Sequence, residues 1–146
     1  MTTIRDYLNK AKFVRDNIVK ETERIVYDNE DKITNLNKNQ FTDGYGSDDK
    51  DLFNLRPEYD GIYSPGSKKQ GLYNFYETGL FIRGLFVEFN ASKLTITIDS
   101  SGKGTGEKSL FITSYTNLFG LDTINSRILN NQIIAPELKL FISKYL

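Results

Sequence analysis

Apolar and polar residues alternate most regularly between Glu77 and Asp99. Leu94, Ile96 and Ile98 alternate with Thr95, Thr97 and Asp99, while Leu85, Val87 and Phe89 alternate with Phe86, Glu88 and Asn90. A period of two is the mark of a strand with one buried face. Between the two runs, Asn90, Ala91, Ser92 and Lys93 supply turn-prone residues. The pattern predicts a β-hairpin over about 84–99 with a four-residue connection and one apolar face that another element must cover.

Elsewhere the apolar spacing is three and four. Ile4, Tyr7, Leu8, Ala11, Val14, Ile18, Ile25 and Val26 fall on one stripe, which predicts a helix from Thr3 to about Asp28. Thr3 is placed to cap it, with Asp6 three positions on in a capping-box place. The hairpin face and a neighbouring subunit are the two candidate partners for that stripe. At the other end, Pro136 sits where a first helical residue tolerates proline, and Leu138, Phe141, Ile142 and Tyr145 form a stripe expected to be buried. Shorter elements are expected between: a strand at Leu72–Tyr76, a helical turn at Leu80–Arg83 behind Thr78, and a helix over Leu110–Leu118 closed by Gly120. A further turn or two follows, capped by Asp122.

Residues 29–71 carry the least pattern. Ile33, Leu36 and Phe41 are isolated in an Asn- and Lys-rich run, enough for one short turn of helix. The stretch TDGYGSDDKD, with Asp43, Asp48, Asp49 and Asp51, reads as a solvated loop. Leu52, Phe53, Leu55, Tyr59, Ile62 and Tyr63, broken by Pro57 and Pro65, read as an extended arm. The fold class that follows is α+β. A long N-terminal helix packs on a small antiparallel sheet with a central hairpin, C-terminal helices complete it, and the 146 residues form one domain with an arm at about 29–71.

Composition narrows the chemistry. The chain has no cysteine and no histidine, so it lacks a disulfide framework, thiolate ligands and the commonest general base. Charge balances at zero, yet residues 31–60 carry seven acids against four bases and residues 61–146 carry nine bases against six acids. That is a weak dipole and not the basic footprint of a nucleic-acid binder. A near-neutral surface tolerates self-association. The start MTTIRDYLNK has no apolar core of a signal peptide, so the chain reads as soluble and cytoplasmically made, without a membrane partner.

Four constellations of residues carry candidate chemistry. Asp43, Asp48, Asp49 and Asp51 offer hard oxygens for Ca²⁺ but fail EF-hand spacing, so a solvated loop is the better reading. Gly102, Gly104 and Gly106 with Lys103 and Lys108 lack Walker spacing and read as a linker. Glu77, Glu88 and Asp99 provide carboxylates for a hydrolase, but strand parity argues against a shared site. Tyr59, Tyr63, Tyr73, Phe75 and Tyr76 near Lys68 and Lys69 suit stacking of single-stranded nucleic acid or sugar, and equally an assembly surface.

The order of the parts carries a resemblance. A charged amphipathic helix is followed by a polar loop, then YETGLFIRGLFVEFN, a Gly-rich connection, YTNLFGLD and IIAPELKLFISKYL. This resembles the small tail-completion or neck (head–tail connector) proteins of tailed bacteriophages, particularly those of AT-rich, Bacteroides-type hosts (the crAss-like variety). The resemblance implies a non-enzymatic structural protein of the virion, without cofactor or metal. Its copies would form a ring beside portal, neck and tail proteins, with DNA passing through. On that reading Phe53, Tyr59, Tyr63, Tyr73 and Tyr76 are expected interface anchors, and Lys103 and Lys108 are expected to face the DNA lumen. The alternative is a small binding module for nucleic acid or carbohydrate that uses the aromatic arm.

Overall fold

The computed structural model describes residues 1–52, 79–101 and 117–146. Helix α1 spans Ile4–Asp28 and opens with a reciprocal capping box. The Thr3 hydroxyl accepts from the Asp6 amide, and the Asp6 carboxylate accepts from the Thr3 amide at 2.8 Å. That backbone hydrogen bond holds the Asp6 carboxyl below the usual range. A single residue, Asn29, separates α1 from α2 (Glu30–Asp43). Asn29 is buried and its amide donates to Ile25 O at 2.8 Å and to Glu137 Oε1 at 3.3 Å, which fixes the bend.

Helix α2 corrects the expectation of one short turn around Ile33, Leu36 and Phe41. It runs for 14 residues, and its core-facing stripe is Ile33, Thr34, Asn37, Gln40 and Phe41. The helical spacing is present, but amides and a hydroxyl occupy three of its positions. A purely hydrophobic count therefore missed it. Gly44 ends α2 with φ 83°, a left-handed conformation that favours glycine.

After the short helix α3 (Leu80–Arg83), strands β1 (Leu85–Asn90) and β2 (Thr95–Ser100) pair antiparallel with Val87 opposite Ile98 and Phe89 opposite Ile96. The hairpin stands as expected, with two differences. Leu94 lies in the turn with φ 53° and is 64% exposed, so it does not extend the buried face of Ile96 and Ile98. Ser100 takes the corresponding inner position and is fully buried, because its hydroxyl donates to Phe81 O at 2.7 Å. The outward N–H groups of β1 are also satisfied: Val87 N donates to Glu30 Oε2 and Phe89 N to the Tyr27 hydroxyl, each at 3.2 Å. The α1–α2 bend thus covers one sheet edge with side chains instead of a third strand.

The last stretch is one continuous helical run: α4 (Thr123–Ile128), a π-helical segment (Leu129–Ile134) and α5 (Ala135–Tyr145). Asp122 caps it as expected, accepting from Asn125 N at 2.8 Å. Pro136 does lie at the start of α5, but it does not begin a fresh helix. The Ala135 amide reaches back to Asn130 O, and this wider turn lets a proline follow without breaking the run. Leu138, Phe141, Ile142 and Tyr145 are half-buried, not fully buried as expected.

The core joins α1, α2, α3, the hairpin and the π-helical segment. Val26, Ile33, Phe41, Leu52, Phe81, Leu85, Val87, Ile98, Leu118, Leu129 and Ile133 form one buried cluster. The architecture is α+β and mostly helical: a long N-terminal helix, a two-stranded antiparallel sheet and C-terminal helices. The expected strand at 72–76 and almost all of the expected helix at 110–118 fall outside the described residues, although Leu118 itself is buried and non-helical. No helix among the described residues is long and apolar enough to cross a membrane.

Candidate functional site

Two features stand out: a carboxylate clamp, and a bare helix face beside a grooved seam. The acidic loop was expected to be a solvated coil with a claim to Ca²⁺. Asp48, Asp49 and Asp51 are exposed, as that reading has it, and the clamp adds bonds that tie the loop to the body. Asp49 Oδ1 accepts from Thr123 N at 2.7 Å and Asp49 Oδ2 from the Thr123 hydroxyl at 2.5 Å. Asp48 Oδ1 accepts from Asn117 Nδ2 at 2.7 Å, and Ser47 N donates to Asn117 O at 2.9 Å. From α2, Gln40 donates to Gly120 O at 3.2 Å and accepts from Asp122 N at 2.8 Å. These bonds pin 117–123 onto 40–49. The side-chain bond to Thr123 lowers the Asp49 carboxyl, and the bond to Asn117 lowers that of Asp48. Among the described residues no three His, Cys, Asp or Glu gather as a metal site.

The bare face is on α1. Its apolar stripe is continuous, but among the described residues only the second half is covered. Ile25 and Val26 are fully buried, whereas every residue from Met1 to Phe13 is exposed, with Ile4 at 82%, Tyr7 at 56% and Leu8 at 59%. Helix α5 runs antiparallel along the covered half, with Glu137 near Arg24 and Tyr145 against Phe13. It ends there. The nine residues of α1 before Phe13 extend about 14 Å beyond it.

Along the α1–α5 seam lie two open grooves of about 560 and 480 Å³, both lined by Glu21, Arg24, Phe141 and Tyr145. Arg24 is held by Glu21 at 2.6 Å, Asp28 at 2.5 Å and Glu137 at 3.6 Å. The hydrogen bond to Glu21 raises the arginine above its ordinary range, and its counterpart lowers the Glu21 carboxyl. Exposed pairs of this kind add little stability, but they fix Arg24 and leave Phe141 and Tyr145 as an apolar floor. Such a seam is suited to burying an apolar ridge between charged walls.

The expected site residues lie elsewhere. Phe53, Tyr59, Tyr63, Tyr73, Tyr76, Lys103 and Lys108 all fall outside the described residues, as do Glu77, Phe75, Lys68, Lys69 and the Gly102–Gly106 run. Glu88 is exposed and Asp99 half-buried; the register puts both on the hairpin face turned from the core. Sequence reasoning found the α1 stripe but not the clamp, whose partners Asp49 and Thr123 lie 74 positions apart. Comparison of the chain with protein-family models, with curated proteins and with solved structures found no match.

Proposed function

We propose that this protein is a non-enzymatic structural subunit that works by assembling with copies of itself. Its place would be a ring of the kind that phage neck and tail-completion proteins form in the virion, beside portal and tail partners. The observation that carries the assembly reading is the half of the α1 stripe that no described residue covers. A helix rarely presents Ile4, Tyr7 and Leu8 to water on one face unless a partner covers them. The virion placement draws on the order of sequence parts described above.

Native mass spectrometry of the full chain across a hundredfold range of concentration, about 1–100 µM, tests the assembly reading, since oligomer formation follows mass action. A discrete closed oligomer that grows with concentration is expected. Monomer throughout would overturn it. Negative-stain images of the same sample, showing closed rings or an open fibre, separate the ring from other assemblies.

A further inference from the structure

We propose that the outer edge of β2 pairs with the same edge of a second copy of this chain, strand against strand about a twofold axis through Thr97. This pairing rests on the assembly reading and adds to it a contact on a surface other than α1.

The two edges of the hairpin are treated differently. Val87 and Phe89 turn their amides away from β2, towards Glu30 Oε2 and the Tyr27 hydroxyl. In an antiparallel ladder such residues occupy the pairs that exchange no bonds. Their opposite numbers, Ile98 and Ile96, therefore turn N–H and C=O away from β1 as well. The β1 edge ends on side chains of the α1–α2 bend. On the β2 edge, no described residue bonds to the outward groups of Ile96 or Ile98. One pair further on, the Ser100 amide already donates to Asp99 Oδ1 at 2.7 Å.

Unpaired amides and carbonyls at strand spacing are matched by another extended backbone. Natural edges are commonly kept apart by proline, lysine or a bulge. Thr95–Ser100 holds no proline or lysine, and its register with β1 is unbroken.

The positions of the outward groups select an identical strand and its register. With Thr97 opposite Thr97, antiparallel pairing sets Ile96 against the second copy's Ile98, and Ile98 against its Ile96. Every outward N–H and C=O of both isoleucines is then bonded in both copies. Moving the axis to Ile98 would call on the Ser100 amide, which Asp99 already holds. Moving it to Ile96 would call on Leu94, which leaves the strand with φ 53°. Side chains agree with the Thr97 axis. Exposed Thr97 meets its own copy, a pairing that favours sheets, and Asp99 meets a threonine, not a second carboxylate.

Alone this contact is small. One strand edge buries far less than the roughly 1,200–2,000 Å² of a stable pairwise interface. Copies held in a ring present it many times at once, which multiplies its strength. Heterologous contacts through α1 close a ring, and a twofold contact on another surface joins two such rings back to back.

Light scattering of the full-length unaltered chain beside Thr97→Lys tests this. The substitution falls on an exposed position and sets like charges across the axis. Thr97→Lys should form an oligomer of about half the unaltered mass, a single ring in place of a double one. An unchanged mass overturns the edge contact and leaves the assembly reading standing; an unaltered chain that stays monomeric overturns both.

Because the chain has no cysteine, cross-linking reads the register directly. Under oxidation Thr97→Cys should join to itself and Thr95→Cys to Asp99→Cys in a mixture, while Thr95→Cys alone should not. Cross-linking of Thr95→Cys alone, with none of Thr97→Cys, would contradict the axis. The Ile96 and Ile98 amides should exchange quickly in dilute monomer and slowly in the oligomer. Slow exchange at every dilution would show the edge covered within one chain and overturn the pairing.

Discussion

The rings of Phe13 and Tyr145 meet with centroids 4.6 Å apart, and this contact marks where α1 leaves the body. On one side of it, α5 covers α1 and Phe141 meets Tyr145 edge-on with centroids 5.2 Å apart; on the other, α1 continues with no described neighbour. The pair is the last clasp of the seam. A double-mutant cycle of Phe13→Ala and Tyr145→Ala in urea unfolding should return a coupling of about 1 kcal/mol, the usual worth of such a ring pair.

Gly46 sits under the clamp. A Cβ there would lie 2.6 Å from Asn117 Cγ and 3.0 Å from Asn117 O, the oxygen that accepts from Ser47 N. Gly46→Ala should cost about 1–3 kcal/mol in the manner of overpacking. Denaturant midpoints of the two proteins check this, and an unchanged midpoint would mean that the loop swings free of 117–123.

Asn37 is fully buried in the α2 stripe, and neither polar atom of its side chain has a hydrogen-bond partner among the described residues. Unpaired buried amides cost stability, and an apolar side chain of similar volume removes that cost. Asn37→Leu should raise stability by about 1–2 kcal/mol, read as a higher thermal midpoint. A lower midpoint would show that the amide serves a partner.

The clamp carboxylates set a pH window. Asp48 and Asp49 have folded-state pKa values below their unfolded ones, so their contribution is fully present above the ordinary aspartate value, near 4, and is lost as pH falls below that value through the lowered folded ones. Side-chain carbon shifts should titrate below free aspartate for both residues. The protection of the Thr123 amide against exchange should fall only as pH drops below about 4, and less steeply in Asp49→Asn.

How much of this was legible in the sequence depends on which residues bear the load. The hairpin and α1 were readable because Val87, Ile98, Ile25 and Val26 keep a clean period. Helix α2 was not, since Asn37 and Gln40 stand where apolar residues would signal it. Nor was the clamp: Asp49 and Thr123 lie 74 positions apart, and no local pattern foretells that pairing. Leu94 misled in the other direction. Its place in the alternation was right, but the turn takes it with positive φ and points the strand's start to Thr95.

The uncovered stripe decides the account. Sedimentation velocity of the unaltered chain beside Leu8→Glu, at matched concentrations and with circular dichroism to confirm equal helicity, measures it most directly. The unaltered chain is expected to sediment as a discrete oligomer and Leu8→Glu as monomer, because a carboxylate cannot enter the apolar contact without heavy desolvation cost. Identical monomeric boundaries for both proteins would contradict the claim that α1 is covered by another copy.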